Sequence, residues 1–184
     1  MTETLPLVLR YVRADRLYKT LTLMLAGSLF VALLARLSLP LSPVPITGQT
    51  LGVLLAGALL GPRIGAGALA LYLVEGALGL PVFAKGGGLG YLLGPTGGYL
   101  FAFPLAAYLA GLAVEGGFTK RLPLAFVAFA LAELSVYLVG LPWLAVYLGA
   151  DLSRALGLGF YPFVPGDLVK ALLAAIIAHR LYRR

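Results

Sequence analysis

Long apolar runs, separated by short turns rich in glycine, proline and basic residues, dominate this sequence. The mean hydropathy is +0.99, hydrophobic residues make up 61 % of the chain, and only 11 % of the residues are charged. Soluble domains carry about a quarter charged residues and under half apolar ones. Because one aqueous core has no room for so much apolar side chain, we expect the chain to lie in a lipid bilayer. A soluble enzyme and a nucleic-acid-binding module are thereby excluded.

Six segments are candidates for membrane-crossing helices, because a spanning helix needs roughly 20 mostly apolar residues. They are 17–39, 49–60, 64–80, 98–114, 124–147 and 166–182. Three prolines within residues 40–45 predict a turn after the first helix, and two longer segments, 81–98 and 149–165, are predicted to be loops. The sequence therefore predicts an all-α integral membrane protein, 1–184, with one domain and an N-terminal cytoplasmic segment, 1–16.

The basic residues predict the orientation of this bundle. Six crossings place both termini on one side, and most basic residues fall at the termini or in the turns of that side. The residues of this group are Arg10, Arg13, Arg16, Lys19, Arg63, Lys120, Arg121, Arg180, Arg183 and Arg184. The remaining four are Arg36, Lys85, Arg154 and Lys170. Since cytoplasmic loops carry the excess of Lys and Arg, we expect both termini in the cytoplasm.

Several kinds of catalytic chemistry are missing from the sequence. It contains no Cys, a single His and no G-x-x-x-x-G-K-[ST] phosphate loop. A disulfide framework, a multi-histidine metal site and an ATP site are therefore not expected in this chain. We expect a binding or transport protein rather than an enzyme, with no metal or cofactor, whose energy comes from a partner or a gradient.

Charged residues inside apolar spans are costly and need an explanation. Asp167 and Lys170 are three residues apart and share a helix face, with Asp167 in the first turn, where the helix dipole stabilises it. They are either a capping acid with an intrahelical ion pair or a polar site facing the bundle, and we favour the site. Glu133 requires a buried polar contact or a ligand. Glu75 has either a structural partner or a role at the site. Arg36 lies near a helix end.

Small residues recur every four positions in two of the predicted helices. Gly57, Gly61 and Gly65 form one such series, and Ser28 and Ala32 form another. This spacing lets helices pack closely in lipid, either within the chain or against another protein. The glycine-rich stretch of residues 85–98 is either a mobile lid or a folded wall.

Four motifs stand in an order and spacing that resemble the BioY family, over about residues 17–180. They are Pro43-Val-Pro-Ile-Thr-Gly-Gln-Thr50, Gly79-Leu-Pro-Val-Phe83, Gly94-Pro-Thr-Gly-Gly-Tyr99 and Pro165-Gly-Asp-x-x-Lys170. The resemblance implies the biotin-specific S component of an energy-coupling factor (ECF) transporter, a six-helix plasma-membrane protein. It implies as partners a transmembrane coupling protein, the T component, and two cytoplasmic ATPases. Family members dock the coupling protein through an Ala-x-x-x-Ala pattern on the first helix, which here corresponds to Ser28 and Ala32.

Biotin offers two N–H donors and a carbonyl in its ureido ring, and a carboxylate on its valerate chain. We predict that Asp167 accepts from the N–H groups, that Lys170 donates to the carbonyl and that Lys85 binds the carboxylate. Gln49 is the candidate for side-chain amide contacts. Further candidates come from the motifs and the aromatic residues near them, since small-ligand sites are mostly apolar; they are Phe83, Tyr91, Thr96, Tyr99 and Trp143. The alternatives are a solitary biotin carrier without ATPases and a membrane protein without a transport role.

Overall fold

The computed structural model describes residues 17–183, which form a bundle of helices joined by short turns and two longer loops. Its elements are α1 (Leu17–Ala35), β1 (Ser38–Leu39), β2 (Ile46–Thr47), α2 (Gln49–Leu60), α3 (Pro62–Ala77), α4 (Leu89–Leu92), α5 (Gly97–Glu115), a 3₁₀ turn (Phe118–Lys120), α6 (Leu122–Leu148), α7 (Leu152–Gly159) and α8 (Val164–Tyr182). The six helices of twelve residues or more lie on the six predicted segments. The predicted segment 1–16, with Arg10, Arg13 and Arg16, falls outside the described residues.

The exterior of the bundle is apolar. Along α1, four leucines spaced about one turn apart are more than half exposed: Leu21, Leu25, Leu29 and Leu33. Three helices, α1, α5 and α6, are long and apolar enough to cross a membrane alone, and α7 with α8, bent by 57°, pass as a fourth span. An apolar surface around a packed interior is the arrangement that a lipid environment selects.

Some predicted boundaries differ from the structure. The first helix ends at Ala35 rather than at residue 39, because the residue before a proline favours extended backbone. Ser38 and Leu39 instead pair antiparallel with Thr47 and Ile46, so the proline-rich segment between the strands folds as a loop. The third predicted helix likewise ends three residues early, at Ala77.

The two predicted loops each contain a short helix that the sequence analysis missed. Residues 81–98 include α4, and residues 149–165 include α7. The signal for α7 was present, because Asp151 caps it by accepting a hydrogen bond from the Arg154 backbone N–H at 2.9 Å. In the glycine-rich segment, Phe83 is fully buried and the Gly88 N–H donates to the Gly76 carbonyl at 2.6 Å. In this structure the segment is folded as a wall, as in one of the two alternatives.

The glycine series on α2 and α3 packs helices against each other within the chain. A Cβ at Gly57 would lie 2.0 Å from the carbonyl oxygen of Ala107 on α5, and one at Gly65 would lie 2.8 Å from the Gly57 Cα. Only glycine permits these approaches of backbone to backbone. This series is thus used for internal packing.

The bundle has two distinct ends. At the turn end, the C-terminal part of α8 packs on neighbouring turns: the Tyr182 hydroxyl donates to the Ala58 carbonyl, and His179 Nδ1 lies 2.9 Å from the Thr119 carbonyl oxygen. At the loop end, the β1–β2 loop and the segments of residues 78–97 and 149–163 meet over the helices. The candidate site lies at the loop end.

Candidate functional site

A cavity opens among α2, α5, α6 and the start of α8 at the loop end. The cavity volume is about 50 Å³. Six of the predicted site residues line it: Gln49, Tyr91, Thr96, Tyr99, Asp167 and Lys170. They come from parts of the sequence more than 100 residues apart, so the fold assembles them. Apolar walls around a few polar groups are typical of a site for a small ligand.

Lys170 is the centre of the polar groups in this cavity. Its Nζ lies 2.7 Å from Asp167 Oδ1 and 2.7 Å from Thr50 Oγ1, and it donates a longer bond of 3.3 Å to the Thr47 carbonyl. Glu133 Oε1 is 3.7 Å away. The ammonium therefore joins α8 to α2 and to the β2 strand, which an intrahelical ion pair alone does not do. Asp167 and Lys170 therefore form a polar site that faces the bundle, rather than only an intrahelical ion pair.

Asp167 is held by its position on α8 and by two neighbours. Pro165 lies in the first turn, where its missing N–H costs nothing, and Asp167 follows in the same turn. One carboxylate oxygen contacts Lys170, and the other accepts a hydrogen bond from the Tyr137 hydroxyl. The helix dipole adds favourable potential at this position. Asp167 is thus oriented by both partners and only 12 % exposed at the cavity wall.

Gln49 is buried at the start of α2 and has specific partners. Its Nε2 donates to the Tyr72 hydroxyl at 2.7 Å, its Oε1 accepts from the Thr47 hydroxyl at 2.9 Å, and Tyr72 in turn donates to the Val82 carbonyl. This chain of bonds ties α2 to α3 and to the segment after α3. Gln49 therefore orders the wall of the cavity, whatever else it contacts.

Aromatic rings form much of the remaining wall. Tyr91 stacks on Phe83 with ring centroids 5.1 Å apart, and burial raises the pKa of the Tyr91 hydroxyl, which stays protonated at neutral pH. Tyr99 packs edge-on against Tyr137 at 6.0 Å and donates to the Gly159 carbonyl at 3.0 Å. Phe83 itself lies behind Tyr91 against Gly76, so it supports the wall rather than lining the cavity.

Two other predicted residues lie away from the polar centre. Lys85 is exposed and lines a second pocket, at the mouth, which shares Tyr91 and Thr96 with the main cavity. Trp143 donates from Nε1 to the Gly94 carbonyl at 2.9 Å and packs on Gly98, so it fastens the loop before α5 to α6. Trp143 does not line the main cavity. A contact between either residue and a ligand stays a prediction.

Four polar residues of the cavity were not among the predicted site residues. They are Thr47, Thr50, Glu133 and Tyr137. Two signals pointed to them: Thr47 and Thr50 flank Gln49 in the first motif, and Tyr137 follows the intramembrane Glu133 by one helical turn. Neither signal gives the direction in which these side chains face, which depends on how α2 and α6 pack.

The structure contradicts the prediction that Ser28 and Ala32 form an exposed patch for a partner. Ser28 is fully buried and donates a hydrogen bond to Glu75 on α3, and Ala32 is 7 % exposed. Both residues face the interior because α1 packs on α3 through this side, while its leucines face outward. The geometry therefore supports internal packing for these small residues. Glu75 has a structural partner, Ser28.

We expect Ser28→Leu to lower the thermal stability of the purified protein, because a leucine has no space there and Glu75 loses its donor. An unpaired acceptor costs about 1–3 kcal/mol where it is fully buried, and less for Glu75, which is half-buried. The control is Ala26→Leu, on the exposed side of the same helix, which should leave the melting temperature unchanged. Equal melting temperatures for the two variants in detergent would contradict this placement of Ser28.

Comparison with known proteins was consistent across sequence and structure. The BioY family model matches residues 5–184. A probable biotin transporter BioY from Pyrococcus horikoshii is 44 % identical over 84 % of this chain and 92 % of its own length. The biotin transporter BioY of Thermotoga maritima is 43 % identical over 86 % of this chain and 94 % of its own. A crystal structure of the S-component for biotin from an ECF-type ABC transporter superposes with a TM-score of 0.79 at 31 % identity, covering 91 % of this chain and 92 % of that one.

Proposed function

This chain belongs to the BioY family of multi-pass plasma-membrane proteins, and on that premise we propose that it is the biotin-binding S component of an ECF transporter. The observation that carries the proposal is the polar centre of Asp167, Lys170 and their neighbours in an otherwise apolar cavity. The protein captures biotin from outside and delivers it to the cytoplasm. It performs no chemistry on the vitamin, and it uses no cofactor.

In this proposal the ureido ring of biotin binds at the polar centre. Asp167 accepts from an N–H group, and Lys170 donates to the carbonyl after giving up its longest bond, the one to Thr47. The fused rings lie against Tyr91 and Tyr99, and the valerate chain extends toward the mouth. There Lys85, as an exposed cation, binds the carboxylate.

The energy for transport comes from partners. We propose a transmembrane T component and two cytoplasmic ATPases, in keeping with the absence of a phosphate loop from the sequence. The internal position of Ser28 and Ala32 leaves the outward side of α1 as the surface of that helix that a partner can reach.

We propose six membrane crossings, with both termini in the cytoplasm and the cavity open to the outside. The charges of the two ends support this orientation. The turn end carries Arg63, Lys120, Arg121, Arg180 and Arg183, whereas the loop end carries Arg36, Lys85 and Arg154. An excess of positive charge marks the cytoplasmic side.

Cysteine labelling tests the orientation. A cysteine at Leu89, which is 63 % exposed at the loop end, should react with an impermeant thiol reagent in intact cells. A cysteine at Phe118, 47 % exposed at the turn end, should react only after the membrane is made permeable. The chain has no cysteine of its own, so the background is clean. The reverse labelling pattern would mean that the cavity opens to the cytoplasm.

Binding of labelled biotin to the purified protein in detergent is the direct test of the function. Saturable binding that unlabelled biotin displaces is expected, and its absence in folded protein would contradict the proposal. Uptake by cells with and without the T component and the ATPases is the second measurement. Uptake that persists undiminished without them would instead identify a solitary carrier.

A further inference from the structure

Glu133 is a buried acid that the proposed binding mode does not yet use. It is 3 % exposed on the inner side of α6 and lines the cavity. Among residues 17–183, neither of its carboxylate oxygens has a hydrogen-bond partner. Buried polar groups are nearly always hydrogen-bonded, so an unbonded carboxyl group in a ligand cavity needs an explanation.

The neighbouring polar groups already have partners. The three N–H groups of Lys170 are directed at Asp167, Thr50 and the Thr47 carbonyl, and each Asp167 oxygen has one donor. Glu133 forms an ion pair with the Lys170 ammonium at 3.7 Å, and Thr50 and Asp167 are close to it, but neither of its oxygens accepts a hydrogen bond from them. It is thus the acceptor in the cavity that remains to be satisfied.

On the far side of Glu133 is a groove between α6 and α8 whose walls are mainly apolar, including Leu134, Leu168 and Ala171. The other polar residues that line the groove within residues 17–183 are Tyr137 and Asp167, which are hydrogen-bonded to each other. A groove of this kind faces hydrocarbon, which offers no hydrogen bonds. A donor for the carboxyl group therefore has to come from the cavity side.

The order of the charged groups matches one kind of ligand edge. Lys170 is flanked by two carboxyl groups, Asp167 at 2.7 Å and Glu133 at 3.7 Å, so the site presents acceptor, donor, acceptor. A cyclic urea presents the complement, which is an N–H, a carbonyl oxygen and a second N–H. Asp167 on its own accounts for only one of the two N–H groups.

We propose that Glu133 accepts the second N–H of the bound cyclic urea and is a specificity-determining residue of the site. This inference rests on the proposed function, because it assumes that the ligand is biotin. Glu133 contributes to affinity by accepting a hydrogen bond from the ligand. Without ligand, its carboxyl oxygens have no hydrogen-bond donor in the described part of the chain. Its removal should therefore affect binding and stability in opposite ways.

The test measures the affinity of the full chain in detergent for biotin and for its two mono-N-methyl isomers, each of which lacks one N–H. Glu133→Leu should weaken biotin at least tenfold, and Glu133→Gln, which keeps one acceptor oxygen, should weaken it less. For one of the two isomers, Glu133→Leu should change the affinity less than threefold, because the N–H that Glu133 binds is already absent.

A stability measurement separates this role from a structural one. Without ligand, Glu133→Gln should melt at the same or a higher temperature than the wild type, since it replaces a buried acid whose oxygens accept no hydrogen bond from residues 17–183. The control is Ser135→Ala, which alters another buried polar residue of α6 outside the cavity and should leave biotin binding unchanged.

Three results would overturn the proposal: unchanged biotin affinity in folded Glu133 variants, equal losses for biotin and both isomers, or wild-type affinity that is the same for biotin and both isomers. A wild-type protein that binds no biotin would overturn the proposed function itself.

Discussion

Lys170→Met should weaken biotin at least tenfold, the largest loss of affinity expected from a single substitution in this protein. Lys170 is the cation of the cavity and lies between Asp167 and Glu133, at 2.7 and 3.7 Å. Removing it leaves two buried carboxyl groups without a counter-charge and takes the donor from the ureido carbonyl. A tenfold loss corresponds to about 1.4 kcal/mol, and breaking a buried pair costs about 3–5 kcal/mol.

The measurement is equilibrium binding of labelled biotin, expressed per folded protein. Asp167→Asn should cause a similar loss, and the double variant should lose less than the sum, because both residues act on one ligand group. Lys120→Met is the matched control, since Lys120 is an exposed cation at the turn end. Normal affinity in a folded Lys170 variant would show that this pair serves the fold alone.

Gly57→Ala should strongly reduce stability, because it adds a methyl group where two helices of this bundle meet backbone to backbone. The new Cβ would lie 2.0 Å from the Ala107 carbonyl oxygen, which is backbone and cannot rotate away. Helices α2 and α5 would have to separate, and the cost should exceed about 3 kcal/mol, the upper part of the range for overpacking. The measurement is the melting temperature and the yield of monodisperse protein in detergent.

Gly157→Ala provides the comparison, because it makes the same change in α7 where no atom lies within 4 Å. Replacing a glycine with alanine in an unstrained helix usually stabilises by about 0.4–1 kcal/mol. The two alanine variants should therefore shift the melting temperature in opposite directions. Similar shifts would mean that α2 and α5 do not pack as closely as this structure has them.

The polar cavity could be predicted in part, because polar residues inside apolar helices are few and each demands a partner. Asp167 and Lys170 stood out for this reason, and their spacing placed them on one side of α8. Thr50 and Thr47 carried only the weaker signal of their place in the first motif, because hydroxyl groups and backbone carbonyls are tolerated almost anywhere. Their role as partners of Lys170 follows only from the packing of α2 against α8.

The sequence by itself determined the environment and the approximate positions of the six long helices, whereas two helix ends and the short helices α4 and α7 differed from the prediction. Continuous apolar runs require lipid, and prolines and glycines interrupt helices through local sterics, so neither conclusion depends on distant contacts. Local sequence also placed Asp167 in the first turn of α8.

The tertiary structure decided which side of each helix faces inward. In water, the apolar side of a helix is the buried side, but in lipid both sides are apolar and hydropathy no longer distinguishes them. The spacing of the small residues therefore left open whether Ser28 faces the interior or a partner, and Glu133 could not be placed at the cavity. Lys85 and Trp143 likewise lie away from the polar centre, which depends on how the loop end is folded.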